Sequence, residues 1–265
     1  MKRFSLDPDW PPSWKLSYAY DQMELYGDRT YLGYTYGYEI RRAEILKHLR
    51  QRIGLGSTVL DVAGAQGNFS IAFAEIGYRT IWNDIREDLI PYVQMKHESG
   101  EIEFLPGDIF CTTPQNPVDC ICASEVIEHV AHPDLFLKRL ADLITDSGVI
   151  ILTTPNGAYF RNTLPKFSEC PDPSQFEQLQ FKPNADGHIF LLYDHEIETL
   201  AHNAGLKIDA IDFFGLPTTH GHMKLRYILP WIPKSCIKWV ERHRHRFPRF
   251  ILRKITHSMI VVLRK

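Results

Sequence analysis

The stretch from Val59 to Asp84, VLDVAGAQGNFSIAFAEIGYRTIWND, permits few folds. Val59 to Val62 predict a short apolar strand, Ala63 to Gly67 a tight turn of small residues, Asn68 to Ile76 a helix, and Arg79 to Trp82 a second strand that ends at the acid Asp84. A strand that passes through a small-residue turn into a helix N-terminus lets a ligand approach the backbone closely, and an acid after the next strand can grip a ribose diol. The turn is not the dinucleotide fingerprint G-x-G-x-x-G, because its small residues fall at Ala63, Gly64, Ala65 and Gly67 and Asp61 stands before them on the strand. A carboxylate there disfavours a pyrophosphate and favours a cationic ligand with an ammonium to hold.

The rest of the chain repeats the alternation. Glu39 to Arg52 has apolar residues at helical spacing and stops at Gly54; a helix over 86–96 follows Asp84, and IEFLPGDIF supplies a third strand leading to Gly107 and Asp108. VDCICA (118–123) is a fourth strand, Asp134 to Ile144 an amphipathic helix entered through Pro133, and GVIILTT (148–154) a fifth strand ending at Pro155. Asp194 to Ala204 reads as a helix closed by Gly205, LKIDAIDFF as strand six and SMIVVLR as the last strand. Five strands alternating with helices predict an α/β chain with a parallel, doubly wound sheet. Residues 156–193, with four prolines, form an irregular segment too long for a mere connector, of the kind that builds acceptor pockets.

With its acid, small-residue turn and second acid, the chain resembles the class I methyltransferases that use S-adenosyl-L-methionine (SAM), whose first motif is usually written D-x-G-x-G-x-G. Ala63 and Ala65 stand where two glycines are usual, which is tolerable only if both backbones keep φ below zero. The resemblance covers about residues 40–213 plus the last strand. It implies a Rossmann-like, seven-stranded, mostly parallel sheet with the last strand antiparallel and helices on both faces. It also implies that Asp61, Ala63, Gly64, Ala65 and Gly67 cradle the cofactor, Asp84 and Ile85 meet its ribose, Asp108 and Ile109 its adenine, and Ser124 its pocket wall.

Chemistry concentrates in SEVIEHVAHP, right after strand four. If a helical turn starts there, Glu125, Glu128 and His129 stand at i, i+3 and i+4 and converge on one side. Two carboxylates and an imidazole at that spacing suit a divalent cation such as Mg²⁺, Mn²⁺ or Zn²⁺, with His188 as a fourth ligand. The pattern is similar to the ubiquinone-pathway O-methyltransferases and the small-RNA terminal 2′-O-methyltransferases, where it implies a cation that holds acceptor oxygens. A metal-free reading stands beside it: Glu125 lines the cofactor pocket, and His129 or His188 is the general base. An oxygen acceptor must lose a proton, so these histidines favour O-methylation, of a small molecule or of a glycan or lipid-linked hydroxyl. His220 and His222, in TTHGHM, are either acceptor contacts or without a role.

The formal net charge of −2 conceals an asymmetry: from Leu216 to Lys265 there are 12 Lys and Arg against the single acid Glu241, while the rest of the chain carries 18 against 31. Most of that positive charge falls in an insertion at 214–257 between the last two strands, interleaved with Tyr227, Trp231, Trp239, Phe247 and Phe250. Such a mixture suits an anionic membrane surface, although a pair of helices with a solvated basic face has the same composition. A nucleic-acid partner would use the same charge, but no RNA-binding module is recognisable. A silent SAM-binding regulator is a further alternative, given the two alanines. Residues 1–38 read as an aromatic arm, poor in helix or strand period, that either caps the cofactor or packs on the domain of residues 39–265. The five cysteines lack C-x-x-C spacing and read as reduced thiols. No apolar run suggests a membrane span or a signal peptide, so the expected location is the cytoplasm, with peripheral membrane attachment through the insertion.

Overall fold

A computed structural model describes residues 1–176 and 187–265. Seven strands, β1 (Thr58–Val62), β2 (Arg79–Asn83), β3 (Glu101–Phe104), β4 (Val118–Ser124), β5 (Ile144–Pro155), β6 (Lys207–Phe214) and β7 (Ser258–Arg264), form one sheet in the order β3-β2-β1-β4-β5-β7-β6. The first five strands pair in parallel, and β7 runs antiparallel between β5 and β6. This is the doubly wound, Rossmann-like sheet that the alternation of strands and helices predicts. The central strands are nearly continuous apolar runs because both faces are covered: β1 is buried from Val59 to Val62, and Cys120, Ile121 and Cys122 of β4 are fully buried.

The covering helices are α1 (Pro12–Glu24), α2 (Leu32–Arg52), α3 (Asn68–Ile76), α4 (Ile90–Lys96), α5 (Pro133–Leu143), α6 (Asp194–Asn203), α7 (Pro217–His220), α8 (Lys234–Arg242) and α9 (Arg249–Ile255). One core joins Phe136, Leu137 and Leu140 of α5 and Ile197 of α6 to Leu60, Ile121, Ile150 and Val261. The other packs Ile45 and Leu49 of α2 and Phe73 of α3 on Val59, Cys120, Ile151 and Ile260. Strand order reverses between β1 and β4, so the connections leave in opposite directions there. A crevice opens at the C-terminal ends of those two strands.

The N-terminal arm departs from its sequence reading. Residues 12–24 and 32–38 are helical, and α2 begins at Leu32, not near Glu39. The helical period is hidden because α1 buries polar side chains, Ser17 and Asp21, in place of an apolar stripe. Asp21 and Lys96 are fully buried and paired, with Lys96 Nζ donating to both Asp21 oxygens at 3.0 and 2.8 Å, and Asn68 Nδ2 and Tyr92 OH also donate to Asp21. This network binds α1 to the start of α3 and to α4. A second unexpected fit explains YLGYTYGY: a Cβ built on Gly33 would meet the His220 carbonyl oxygen at 2.3 Å, and one on Gly37 the His220 ring at 2.6 Å, so the two glycines let α7 lie against α2.

Candidate active site

The turn after β1 carries more strain than its composition suggests. Ala63 has φ 54° and Ala65 φ 48°, so both alanines occupy the left-handed region, contrary to the expectation of negative φ. A side-chain-bearing residue there costs about 1–2 kcal/mol, a strain that persists because the surroundings hold the turn closed. Gly64 N donates to Asn83 O at 2.8 Å, Ala65 N to Asp84 Oδ2 at 2.8 Å, and Trp82 Nε1 to Ala65 O at 3.1 Å. Gly64 admits no side chain, because a Cβ would stand 2.7 Å from Trp82 Cδ1 and 3.1 Å from Asp61 Oδ2.

A cleft of about 310 Å³ opens over this turn. Of the residues expected to hold a cofactor, Asp61, Ala63, Gly64, Ala65 and Ser124 line it, together with Glu125. Gly67, Asp84, Ile85, Asp108 and Ile109 are not among its lining residues. Gly67 caps α3 in the left-handed region. Asp84 is buried, and both its oxygens are engaged, by Ala65 N and by the backbone and guanidinium of Arg86. Asp108 is exposed in a turn and accepts from Phe110 N at 3.0 Å, while Ile109 is buried and Ile85 exposed.

Asp61 is 1 % exposed and accepts from the hydroxyl of Ser70, and burial pushes its carboxyl up to about 7. The opposite wall comes from α1 and α2, with Tyr20, Glu24, Tyr34, Tyr38 and Arg41. Sequence reasoning missed these residues individually, and the aromatic run at 31–38 was the available signal. Glu24 accepts from Tyr34 OH, Gln66 Nε2 and Asn68 Nδ2, and burial raises its carboxyl.

The segment after β4 does not form the expected helical turn. Glu125 adopts φ 57°, and a short 3₁₀ turn follows at Ile127–His129. The left-handed residue separates the acids: Glu125 turns to the cleft, where its Oε2 pairs with Arg41 at 3.1 Å, and Glu128 turns inward. Glu128, His129 and His188 come together, each offering a ligand atom within 4.8 Å of the others, with the two imidazole centroids 4.7 Å apart. Glu128 is fully buried; its Oε2 accepts from Thr154 Oγ1 at 2.9 Å, and its Oε1 accepts no hydrogen bond among the described residues and faces His188 Nε2 at 4.0 Å. Burial, reinforced by the nearby charge of Glu125, drives the Glu128 carboxyl well above the usual range.

Glu44, His48 and Asp212 also cluster. Lys47 pairs with Glu44 and Asp212, Arg244 lies 2.8 Å from Glu44, and Arg52, itself paired with Asp209, occupies the His48 ring nitrogen at 2.9 Å. That arrangement is an ion-pair network.

A crevice at the strand reversal, a buried acid below a small-residue turn and a carboxylate-imidazole group beyond β4 define the class of SAM-dependent methyltransferases. The chain belongs to the methyltransferase domain family, which matches residues 38–211. Among curated relatives, a ubiquinone biosynthesis O-methyltransferase of Coxiella burnetii is 31% identical over 153 residues, covering 50% of this chain and 65% of that protein. One from Bradyrhizobium diazoefficiens is 28% identical over 106 residues, or 38% of this chain and 41% of the relative, so the chain spans less than two thirds of the length of either. A solved SAM-dependent methyltransferase from Archaeoglobus fulgidus superposes with TM-score 0.56 at 16% identity, over 94% of this chain and 99% of that one. A magnesium protoporphyrin IX methyltransferase from Synechocystis, solved with bound S-adenosylhomocysteine, gives 0.54 at 15% identity, over 94% and 100%. At these identities the structures share the fold.

Proposed function

We propose that the chain transfers the methyl group of SAM to an oxygen of a small-molecule, glycan or lipid-linked acceptor. The observation that carries the reading is the group Glu128, His129 and His188 beyond β4, with a buried carboxylate oxygen that accepts no hydrogen bond among the described residues. Attack on a sulfonium methyl is an in-line displacement, so the protein's part is to bring acceptor and methyl together and to deal with the hydroxyl proton. Asp61 and the turn Ala63–Gln66 hold the cationic end of the cofactor, and the wall from α1 and α2 covers it. The first 38 residues, on this reading, are a helical cap that continues into the domain.

His188 or His129 takes the acceptor proton, and Glu128 lies 4.0 Å from His188 Nε2, where it can orient that ring. The same donor set, one carboxylate and two imidazoles with an unused carboxylate oxygen, suits a divalent ion of the Mn²⁺ or Zn²⁺ kind. Such an ion, when bound, supplies a lowered pKa for the acceptor hydroxyl. Glu125 stays with Arg41 outside this set and lines the cofactor side. The test is calorimetric titration of Mg²⁺, Mn²⁺ and Zn²⁺ into protein saturated with S-adenosylhomocysteine, alongside an acceptor panel of catechols, vicinal diols and sugar hydroxyls. Binding lost in both Glu128→Gln and His188→Ala establishes the metal role; turnover without any metal effect leaves the histidines as bases. Cofactor binding with no methylated product across the panel refutes the reading.

We also infer that the basic insertion rests on an anionic membrane surface. Trp231 is 85% exposed and Phe250 72%, with Tyr227 and Trp239 exposed beside them, while the insertion's one acid, Glu241, is buried and bonded to Gly215 N, Leu216 N and Thr219 Oγ1. Lys234 and Lys238 pair with Glu39, Arg244 with Glu44 and Arg253 with Asp194, while the exposed Arg242, Arg246, Arg249 and Lys254 have no carboxylate partner among the described residues and stand with the aromatics. No helix among the described residues is long and apolar enough to cross a membrane. Co-sedimentation with phosphatidylserine vesicles, lost with phosphatidylcholine alone and in the pair Trp231→Ala, Trp239→Ala, is the expected outcome. Equal binding to both lipids refutes it.

A further inference from the structure

The C-terminal end of β5, the end of β6 and the beginning of β7 meet at one edge of the sheet: Pro155 pairs with Ser258, and Phe214 pairs with Ser258 from the other side. Asn156 N donates to His257 O at 2.7 Å, and His257 N to Gly215 O at 2.8 Å, so the three chain crossings are stitched together there. On this frame Tyr159, His222 and His257 pack ring to ring, with Tyr159 stacked 5.6 Å from His222 and 5.7 Å edge-on from His257, and His220 lies 4.3 Å behind His257. The front of the cluster lines an open pocket of about 270 Å³, to which Arg161, Asn162 and Thr163 also contribute.

The polar groups of this pocket are mostly donors. Tyr159 OH and His222 Nδ1 are 2.6 Å apart, and His257 Nδ1 lies 3.0 Å from Ser258 Oγ. Burial lowers both histidines, His257 to about 4, so each ring is neutral near pH 7. In the tautomer in which each hydroxyl donates to Nδ1, the ring proton sits on Nε2 and is available as a donor. Asn162 already uses both ends of its amide, donating to Gly157 O and accepting from Leu164 N. No Asp or Glu lines the pocket, and among the described residues Arg161 has no carboxylate partner. Arg161 is therefore its single charge. The pocket is joined to the Glu128 group through β5, because Pro155 and Asn156, which line it, directly follow Thr154, whose hydroxyl donates to Glu128 at 2.9 Å.

We propose that the pocket bounded by Tyr159, Arg161, His222 and His257 seats an oxyanion of the methyl acceptor, a phosphate or carboxylate, with Arg161 supplying the charge and the two imidazoles the orienting N–H groups. The proposal deepens the methyltransferase reading and rests on it. It gives the acceptor two ends: a hydroxyl beside His188 and an anionic group on the far side of His257. Arginine is suited to both anions through paired N–H donors.

The experiment is titration of inorganic phosphate and, separately, of acetate into the full chain, with and without S-adenosylhomocysteine, followed by the imidazole NMR signals of His222 and His257. Saturable shifts of both signals that weaken at least about fivefold in Arg161→Gln are expected, as for loss of a charge-assisted contact. A response to phosphate alone assigns a phosphorylated acceptor, and a response to acetate alone a carboxylated one. No saturable shift with either anion overturns the proposal, as does equal response in wild type and Arg161→Gln. S-adenosylhomocysteine affinity, measured on the same samples, reports on the cofactor reading separately, so failure of one is not mistaken for failure of the other.

Discussion

If Asp61 holds the cationic end of the cofactor as proposed, it ties cofactor affinity to pH. Its carboxyl lies at the floor of the cleft, is almost completely buried, and titrates near 7 because burial penalises its charge. A cationic ligand above it favours the ionised form, so binding draws the proton off. With a pKa near 7, about nine tenths of the apoprotein is ionised at pH 8 and about one tenth at pH 6, which makes binding about tenfold weaker at the lower pH, or about 1.4 kcal/mol. At pH 7 binding releases about half a proton. Calorimetry of S-adenosylhomocysteine in two buffers of different ionisation enthalpy reads both quantities. Asp61→Asn, with nothing to titrate, should bind more weakly at pH 8 and lose the pH dependence. The same group sets a trend in the stability of the apoprotein. Below about pH 4 it is neutral both folded and unfolded; between about 4 and 7 only the unfolded chain gives up the proton, so stability falls as pH rises through that window. Affinity that is flat from pH 6 to 8 with no proton release, or a pH dependence that survives Asp61→Asn, refutes the reasoning.

Lys96→Met leaves Asp21 charged and buried with only Asn68 and Tyr92 as donors, and should cost about 3–5 kcal/mol in urea denaturation. Adding Asp21→Leu should recover most of that, and an equal or larger loss in the pair would show that apolar groups do not fit there. Ala65→Gly relieves a left-handed alanine and should raise stability by up to about 1 kcal/mol; a clear loss would contradict that backbone. Gly64→Ala drives a methyl against Trp82 and should cost about 1–3 kcal/mol in thermal unfolding and weaken cofactor binding, whereas a neutral outcome would mean the turn opens.

Much of the architecture was legible in the sequence. Parallel strands covered on both faces leave nearly continuous apolar runs such as Val59–Val62 and Val118–Ala123, each broken by a single aspartate, and capping glycines such as Gly77 and Gly205 close helices along the chain. The arm at 12–24 was not legible, because α1 is held by the buried pair of Asp21 with Lys96, and an ion pair across 75 residues leaves no local period. The negative φ expected at Ala63 and Ala65 failed for a related reason: propensity describes a residue in isolation, and bonds from Gly64 N to Asn83 O and from Trp82 to Ala65 O hold the turn where alanine is strained.

The site divides along the same line. The order of chemistry along the chain, an acid before the small-residue turn, an acid after β2 and a carboxylate-imidazole run after β4, is written in the sequence because each group sits at a strand end. Which of these side chains meet was decided by tertiary structure. Glu125 and Glu128 are three positions apart, yet one left-handed residue sends the first to Arg41 and the second into the core beside His188. Tyr159, His222 and His257, spread over almost a hundred residues, share a pocket only because β7 inserts between β5 and β6 and brings three distant crossings to one edge. Local pattern specifies elements through nearest-neighbour backbone physics; long-range pairing decides which of their ends become neighbours, and the chemistry of this chain is built from those ends.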